Sequence, residues 1–501
     1  METLSKTVEW MKSIFARFEV PEWPSDSPVW SSEALNLLLE AAAKQPQNVS
    51  LEDVLEKSES FPVPFPTEIV RCKTLRQTVS KETLERNINS AYPVLHEKAL
   101  ELCVNFLIHK REFGSAIEKK LYANISVLEL IQRLLFKRAV VFLNAYDVYQ
   151  LVDGTTGRGQ WETIGTDKET SNLVLSNCLS YDELKLSALL SVSSYTHFLN
   201  DGNRHNNGIT KKEGVESDGI IVGLIGTCPK RNFMEYQEMV ITKDQNHEGN
   251  GYGTQSVPTM RSLVSDFYGE ACFTYEQALE CKKEEPLRLV DIKTHKGMIF
   301  DNNVFCKRIN LSIDTLLLEA NQRAKDRNMS AVVHVVGIGL GSWILSRHQE
   351  PLFLDTCAKR IRLLGSNNSL DHIADVIFAY FTPNSTSGGY KDGDIIPIPE
   401  HPNGGIKVHI CIREPHTKLT GEFEGKLLVV SYAWNGNALP GNDFWIGALN
   451  TTGDPAAALS TQISEIHNPH INPKVCAENL RIATPNGVLS LAEYCKTAKH
   501  S

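Results

Sequence analysis

Ala331-Val332-Val333-His334-Val335-Val336-Gly337-Ile338-Gly339-Leu340-Gly341-Ser342-Trp343 is the stretch on which the fold turns. Its first half is a valine run broken only by His334. A short apolar run without alternation is what a strand buried on both faces shows. Its second half puts glycine at alternate positions. Glycine lets backbone N–H groups approach an anion closely and tolerates positive φ, and such loops form anion-binding nests. The spacing is G-x-G-x-G, which differs from the G-x-G-x-x-G of a nicotinamide-binding fold, and no phosphate-loop Gly-Lys-Ser/Thr follows. Alone, the glycines also fit a plain tight turn, and His334 fits a satisfied core histidine.

Outward from this stretch, helix and strand patterns alternate. Leu311–Arg327 has helical periodicity and ends with basic residues, favourable at a helix C-terminus. Leu352–Leu364 is helical again, Ala374–Phe381, Lys407–Ile412 and Leu427–Tyr432 predict strands, and Asp454–Ile466 predicts a helix. Upstream, Asp182–Leu199 predicts a helix and Gly219–Gly226 a buried strand. Asp244–Thr254 and Asn384–Asp394 predict loops. Alternating buried strands and helices imply an α/β sandwich, with ligands at the carboxyl ends of the strands. Residues 1–160 predict a mainly helical accessory region. Leu84–Arg111 and Ala116–Phe136 carry apolar residues at helical spacing. They follow proline-rich segments, Pro21–Pro28 and Pro62–Pro66, that cannot continue a helix. The division is therefore 1–160, accessory, and 179–501, ligand-binding and catalytic.

The formal charge of −9 argues against non-specific nucleic-acid binding, which needs a basic face. The 11 cysteines are scattered without a C-x-x-C pair, unlike a disulfide framework or zinc ribbon. Scattered thiols suit the cytosol or nucleus. Met1–Val20 carries Glu2, Glu9 and Glu19 and lacks the apolar core of a signal peptide. The longest apolar runs are too short to span a bilayer. A cytoplasmic protein is expected, without membrane partners, with the nucleus as an alternative.

The densest segment is Val430-Ser431-Tyr432-Ala433-Trp434-Asn435-Gly436-Asn437-Ala438-Leu439-Pro440-Gly441-Asn442-Asp443-Phe444-Trp445. Asparagine both donates and accepts, which suits sugar hydroxyls. The bland alternative is a loop of turn formers, although two tryptophans that size usually pack or stack. Thr452-Gly453-Asp454-Pro455-Ala456-Ala457-Ala458 follows, with aspartate at N-cap and proline at N1. Asp454 alone could do nothing but cap. With Asp443 in the preceding loop, two carboxylates near a strand end can grip a diol and a cationic leaving group. Lys230-Arg231, followed by Glu235 and Tyr236, could line one wall of the same cleft or simply be exposed. No H-E-x-x-H or carboxylate-rich metal loop is present, so neither a metal nor another cofactor is expected.

These motifs, with Asn200-Asp201-Gly202-Asn203-Arg204 and Met234-Glu235-Tyr236-Gln237, resemble in order the arginine-specific macrodomain ADP-ribosylhydrolases. That class is typified by the Legionella effector MavL and its eukaryotic relatives. The likeness covers roughly Leu179–Asn472. It implies a macrodomain-like three-layer α/β/α sandwich with ADP-ribose in a cleft at the strand ends. Gly337, Gly339, Leu340, Gly341, Ser342 and Trp343 would wrap the diphosphate. Asn435, Asn437, Gly441 and Asn442 would hold the distal ribose, with Asn200, Asp201, Asn203, Arg204 and Glu235 also facing the ligand. Asp443 and Asp454 match the acidic pair that the family uses on the distal ribose and the scissile bond, and a third family aspartate falls at Asn435. The implied activity is removal of mono-ADP-ribose from arginine side chains of proteins. Two alternatives stay open: a non-catalytic ADP-ribose reader, and hydrolysis of another ADP-ribosyl linkage.

Overall fold

The computed structural model describes residues 18–40, 46–143, 146–229, 235–253, 258–381, 385–450 and 453–499. Among them, ten strands build one mixed sheet. In chain order they are β1 (Tyr92–His96), β2 (Leu190–His197), β3 (Asp218–Ile225), β4 (Ala331–Val335) and β5 (Ile373–Ala379), then β6 (Ile395–Pro397), β7 (Gly405–Cys411), β8 (Leu427–Trp434), β9 (Arg481–Thr484) and β10 (Gly487–Ser490). Across the sheet the order is β6-β7-β5-β4-β8-β3-β2-β1-β9-β10. From β7 to β3 every pairing is parallel. β2 runs antiparallel to both neighbours, and the edge strands β6 and β10 are antiparallel to theirs.

The parallel strands are apolar throughout because both faces are covered. Val333 and Val429 point into the main core, where α1 (Glu97–Phe113), α2 (Asn302–Asp326) and α3 (Gln349–Ser366) pack. Val332, Ile377, Leu428 and Val430 point the other way, onto Phe198, Val215 and Leu419. α2 has 25 residues, about 38 Å of helix, and contacts seven strands of the sheet. Because it is buried nearly all round, its charged side chains need internal partners. Asp314 takes Arg360 of α3 at 2.7 and 2.6 Å, and Glu319 takes Arg323 at 2.7 Å. Arg360 also donates to the carbonyls of Glu22 and Pro24, strapping the N-terminal segment across both helices.

Four helix expectations are corrected. Leu84–Arg111 is a helix over Lys81–Asn89, then β1, then α1. Pro93 has no N–H to continue a helix, and β1 lies between β2 and β9, so the first zone supplies an interior strand of the sheet. Its apolar residues, such as Leu84, Val94 and Phe106, share the main core. Asp182–Leu199 is helical only over Tyr181–Ser187. The serine, valine, tyrosine and threonine that follow are weak helix formers, and pairing on both sides makes them β2. Ala116–Phe136 is two helices, Ala116–Tyr122 and Val127–Phe136, split where Ser126 and Glu129 form a capping box. Asp454–Ile466 is likewise two short helices, Gly453–Ala458 and Ile463–Ile466.

All 11 cysteines are free thiols. Among the described residues, no helix is long and apolar enough to cross a membrane.

Removing one partner of a buried pair leaves the other charge uncompensated. Asp314→Ala is therefore expected to destabilise the protein by about 3–5 kcal/mol, read as a lowered urea midpoint. An unchanged midpoint would show that Arg360 is satisfied by carbonyls alone.

Candidate active site

β4 and β8 are hydrogen-bonded neighbours, with His334 opposite Val430. The two loops singled out from the sequence therefore leave the sheet side by side. Ser431 links them: its Oγ accepts from the Val336 N–H at 3.0 Å and donates to the His334 carbonyl at 3.1 Å. His334 itself is fully buried and bonds the Arg413 carbonyl through Nε2 at 3.2 Å.

A cleft of about 750 Å³ opens over these loops and along the face of β8. Gly337, Gly339, Leu340, Gly341, Ser342 and Trp343 line one side. Asn435, Asn442, Asp443 and Asp454 line another, and Arg204 reaches it as well. The glycines have different reasons. Gly339 has φ +78°, and the loop after β3 lies so close that a Cβ on Gly226 would sit 2.1 Å from the Gly339 nitrogen. Gly341 has neither constraint, since a Cβ there would meet nothing within 4 Å and would enter the open side of the loop.

Asp454 is only 6% exposed. The helix begins at Gly453, so Asp454 sits in its first turn with Pro455, and its side chain serves a different loop. Oδ1 accepts the Gly441 N–H at 2.9 Å, and the Asn435 backbone N–H also bonds the carboxylate. Oδ2 is buried and has no hydrogen-bond partner among the described residues. Burial pushes this carboxyl well above the usual carboxylate range, and the neighbouring Asp443 charge adds to the shift. Asp443 lies in the turn of helix Asn442–Trp445, half-buried, with Asn442 Nδ2 donating to its Oδ1 at 3.1 Å. Beneath them Tyr432 bonds His467 Nδ1 at 3.1 Å, and His467 Nε2 meets Ser194 Oγ at 2.9 Å.

Several expected ligand contacts have structural work instead. Asn442 accepts the Phe142 N–H at 2.8 Å and donates to the Phe142 carbonyl at 3.2 Å. Asn435 Nδ2 donates to that same carbonyl at 3.1 Å. A carboxylate at position 435 would face a carbonyl oxygen, so asparagine is what this packing needs. Asn437 is buried and donates its N–H to Asn435 Oδ1 at 3.2 Å. Gly441 holds Asp454 from a left-handed conformation. Neither Asn437 nor Gly441 lines the cleft, nor do Asn200, Asp201, Asn203 and Glu235. Asn200 donates to the Leu459 carbonyl, Asp201 pairs with Lys211, and Asn203 donates to Glu414. Glu235 is the buried counter-charge of Arg308 on α2 and accepts the Cys228 N–H at 2.8 Å. Tyr236 is buried with it. Lys230, Arg231, Met234 and Thr452 lie outside the described residues. The two flanking tryptophans pack internally, Trp434 under Arg138 and Trp445 against Phe61 and Phe65.

The cleft also has walls that no motif marked: Phe142 and Leu143 from the first zone, Tyr380 and Phe381 after β5, Arg347 and Glu350, and His416 after β7. Among the described residues Asp375, His409 and Glu422, on and beside β5 and β7, form the one group spaced to hold a metal ion. Asp375 and Glu422 are already paired with Lys426 and Lys407 at 2.6 Å each.

The sequence profile of the family described as ADP-ribosylhydrolase MavL-like matches residues 52–497. The chain belongs to this family. Two curated relatives from Drosophila melanogaster agree. The ADP-ribosylarginine hydrolase CG2909 is 42% identical over 95% of this chain and 96% of its own length. The ADP-ribosylarginine hydrolase CG3568 is 42% identical over 91% of this chain and 90% of its own. The family match begins well before Leu179, so the likeness takes in most of the first zone, including β1 and the Phe142 wall.

The two glycine environments predict opposite outcomes. Gly226→Ala is expected to cost about 1–3 kcal/mol of stability by overpacking. Gly341→Val is expected to leave the melting temperature unchanged and to weaken ADP-ribose binding, measured by calorimetry. A Gly341→Val protein with native affinity would remove the loop from the ligand's path.

Proposed function

We propose that the protein hydrolyses the N-glycosidic bond between ADP-ribose and arginine side chains of mono-ADP-ribosylated proteins, using Asp454 and Asp443. The observation that carries this is the divided carboxylate of Asp454. One oxygen accepts the Gly441 N–H, and the other is buried with no partner among the described residues, in a cleft that a second acid also lines. A buried orphan acceptor costs stability unless substrate or water satisfies it. The names of the 42%-identical relatives point to the same linkage.

The chemistry needs one proton moved. Water adds to the anomeric carbon of the distal ribose, the carbon–nitrogen bond breaks through an oxocarbenium-like transition state, and arginine leaves. Asp454, ionised beside the cationic guanidinium, takes the proton of the attacking water and returns it to the departing guanidine. Its raised affinity for protons suits that task. Asp443 binds the ribose diol and stabilises the positive charge at the anomeric carbon. The glycine loop Gly337–Trp343 holds the diphosphate through its N–H groups.

The region from 179 to 501 is read as macrodomain-like, supported by the parallel strands and by helices α2 and α3 on one face. The first zone is accessory to it, contributing β1 and the Phe142 wall. Free thiols fit a cytoplasmic setting. The reader alternative drew on Asn435 standing where the family has an aspartate. That substitution has a packing cause, the Phe142 carbonyl.

Asp454→Asn keeps an acceptor for the Gly441 N–H and removes the titrating group. Release of ADP-ribose from arginine-modified protein is expected to slow about 10²–10⁴-fold. The folded-state pKa is raised, so wild-type Asp454 costs no stability below the unfolded value of about 4 and costs progressively more as pH rises above it. Asp454→Asn should therefore melt like wild type near pH 3.5 and a few degrees higher at pH 7. Unchanged turnover, or no pH-dependent gain in melting temperature, would defeat the assignment of Asp454.

A further inference from the structure

His416 lies outside every motif read from the sequence, yet it lines the cleft. Three features of the Asn200-Asp201-Gly202 turn fix it. The Asn200 carbonyl is 3.0 Å from His416 Nδ1. The Asp201 carbonyl accepts the His416 backbone N–H at 3.0 Å. Gly202, at φ +77°, leaves the space the ring needs, since a Cβ there would lie 2.8 Å from His416 Cε1. On the other side the ring stacks on Phe198, with centroids 4.0 Å apart and planes 19° from parallel. The ring is held by the turn on one side and by Phe198 on the other.

The tautomer follows from one bond. A carbonyl oxygen only accepts, so Nδ1 carries the hydrogen, and in the neutral ring Nε2 is then a bare acceptor. Nε2 takes no hydrogen bond from the described residues. Burial depresses the His416 pKa to about 3, so the ring stays neutral at working pH.

We propose that His416 is a ligand-contact residue whose Nε2 accepts a hydrogen bond from an N–H or O–H donor of the bound nucleotide, with Asn200, Asp201 and Gly202 as its positioning residues. The proposal rests on the cleft being the ADP-ribose site. It gives the Asn200–Arg204 stretch a second purpose: apart from Gly202 and Arg204, these residues shape the wall from behind it. Two donors on ADP-ribose have the required chemistry, the adenine exocyclic amine and a ribose hydroxyl.

Calorimetry on the full-length protein with ADP-ribose and with its hypoxanthine counterpart, which lacks the amine, tests this. His416→Phe keeps the stack on Phe198 and removes the acceptor, and His416→Gln restores an acceptor near the Nε2 position. Wild type should bind ADP-ribose, His416→Phe should bind it about 10–100-fold more weakly, and His416→Gln should recover part of the loss. If the donor is the amine, wild type binds the hypoxanthine analogue as weakly as His416→Phe binds ADP-ribose. If it is a hydroxyl, wild type binds both nucleotides alike and His416→Phe loses both. Should His416→Phe melt early, nitrogen shifts of the wild-type histidine decide: the Nδ1–H tautomer with an Nε2 resonance that moves on adding ADP-ribose supports the contact. A static Nε2 resonance, or a folded His416→Phe with wild-type affinity, overturns it. Wild-type protein that fails to bind ADP-ribose would overturn the reading of the cleft as well.

Discussion

The side-by-side parallel pairing of β4 and β8 is the constraint on which the site depends. Strand β4 has β5 on one side and β8 on the other, so the chain leaves in one direction and returns on the opposite side. Open α/β sheets bind ligands where strand order reverses in this way. Here the reversal brings a glycine loop and an asparagine-rich loop to a common opening. Ser431, bonded to both Val336 and His334, fixes their spacing at the point of departure. The glycine loop and the acidic pair are hung on those two strand ends.

Backbone groups then position the acids. Asp454 belongs to a six-residue helix but is held by Gly441 and Asn435, which belong to the loop after β8. Asp443 belongs to that same loop and is braced by Asn442, whose amide also grips Phe142. The first zone is thereby tied to the acidic pair by hydrogen bonds to main chain, which are insensitive to the identity of the residue at 142. The arrangement stores cost at the place where chemistry is proposed: an orphan oxygen and two acids in electrostatic contact.

The sequence disclosed those parts of the fold whose burial is local. Valine runs such as Ala331–Val336 read correctly because both faces of the parallel strands are covered. β1 and β2 did not, because Tyr92–His96 sits inside a helix pattern and Leu190–His197 continues one, and only pairing in the sheet makes them strands. The β9–β10 hairpin carried a signal in Pro485-Asn486-Gly487 that favours a turn. In the site, Asp443, Asp454 and the glycine loop were marked by their motifs, and all of them line the cleft. His416 and Phe142 gave no such sign, since a lone histidine and a lone phenylalanine mostly mean core. Glu235 and Asn200 failed in the opposite sense: polar residues in a conspicuous motif were serving a buried arginine and a backbone carbonyl.

The central claim is that this cleft cleaves one particular linkage and does more than hold the nucleotide. The most direct measurement is a time course of label release by full-length protein from three substrates bearing mono-ADP-ribose on arginine, serine or glutamate. Free ADP-ribose accumulating over many turnovers from the arginine substrate alone is the expected result. Stoichiometric binding without release, or faster release from serine or glutamate, would contradict it.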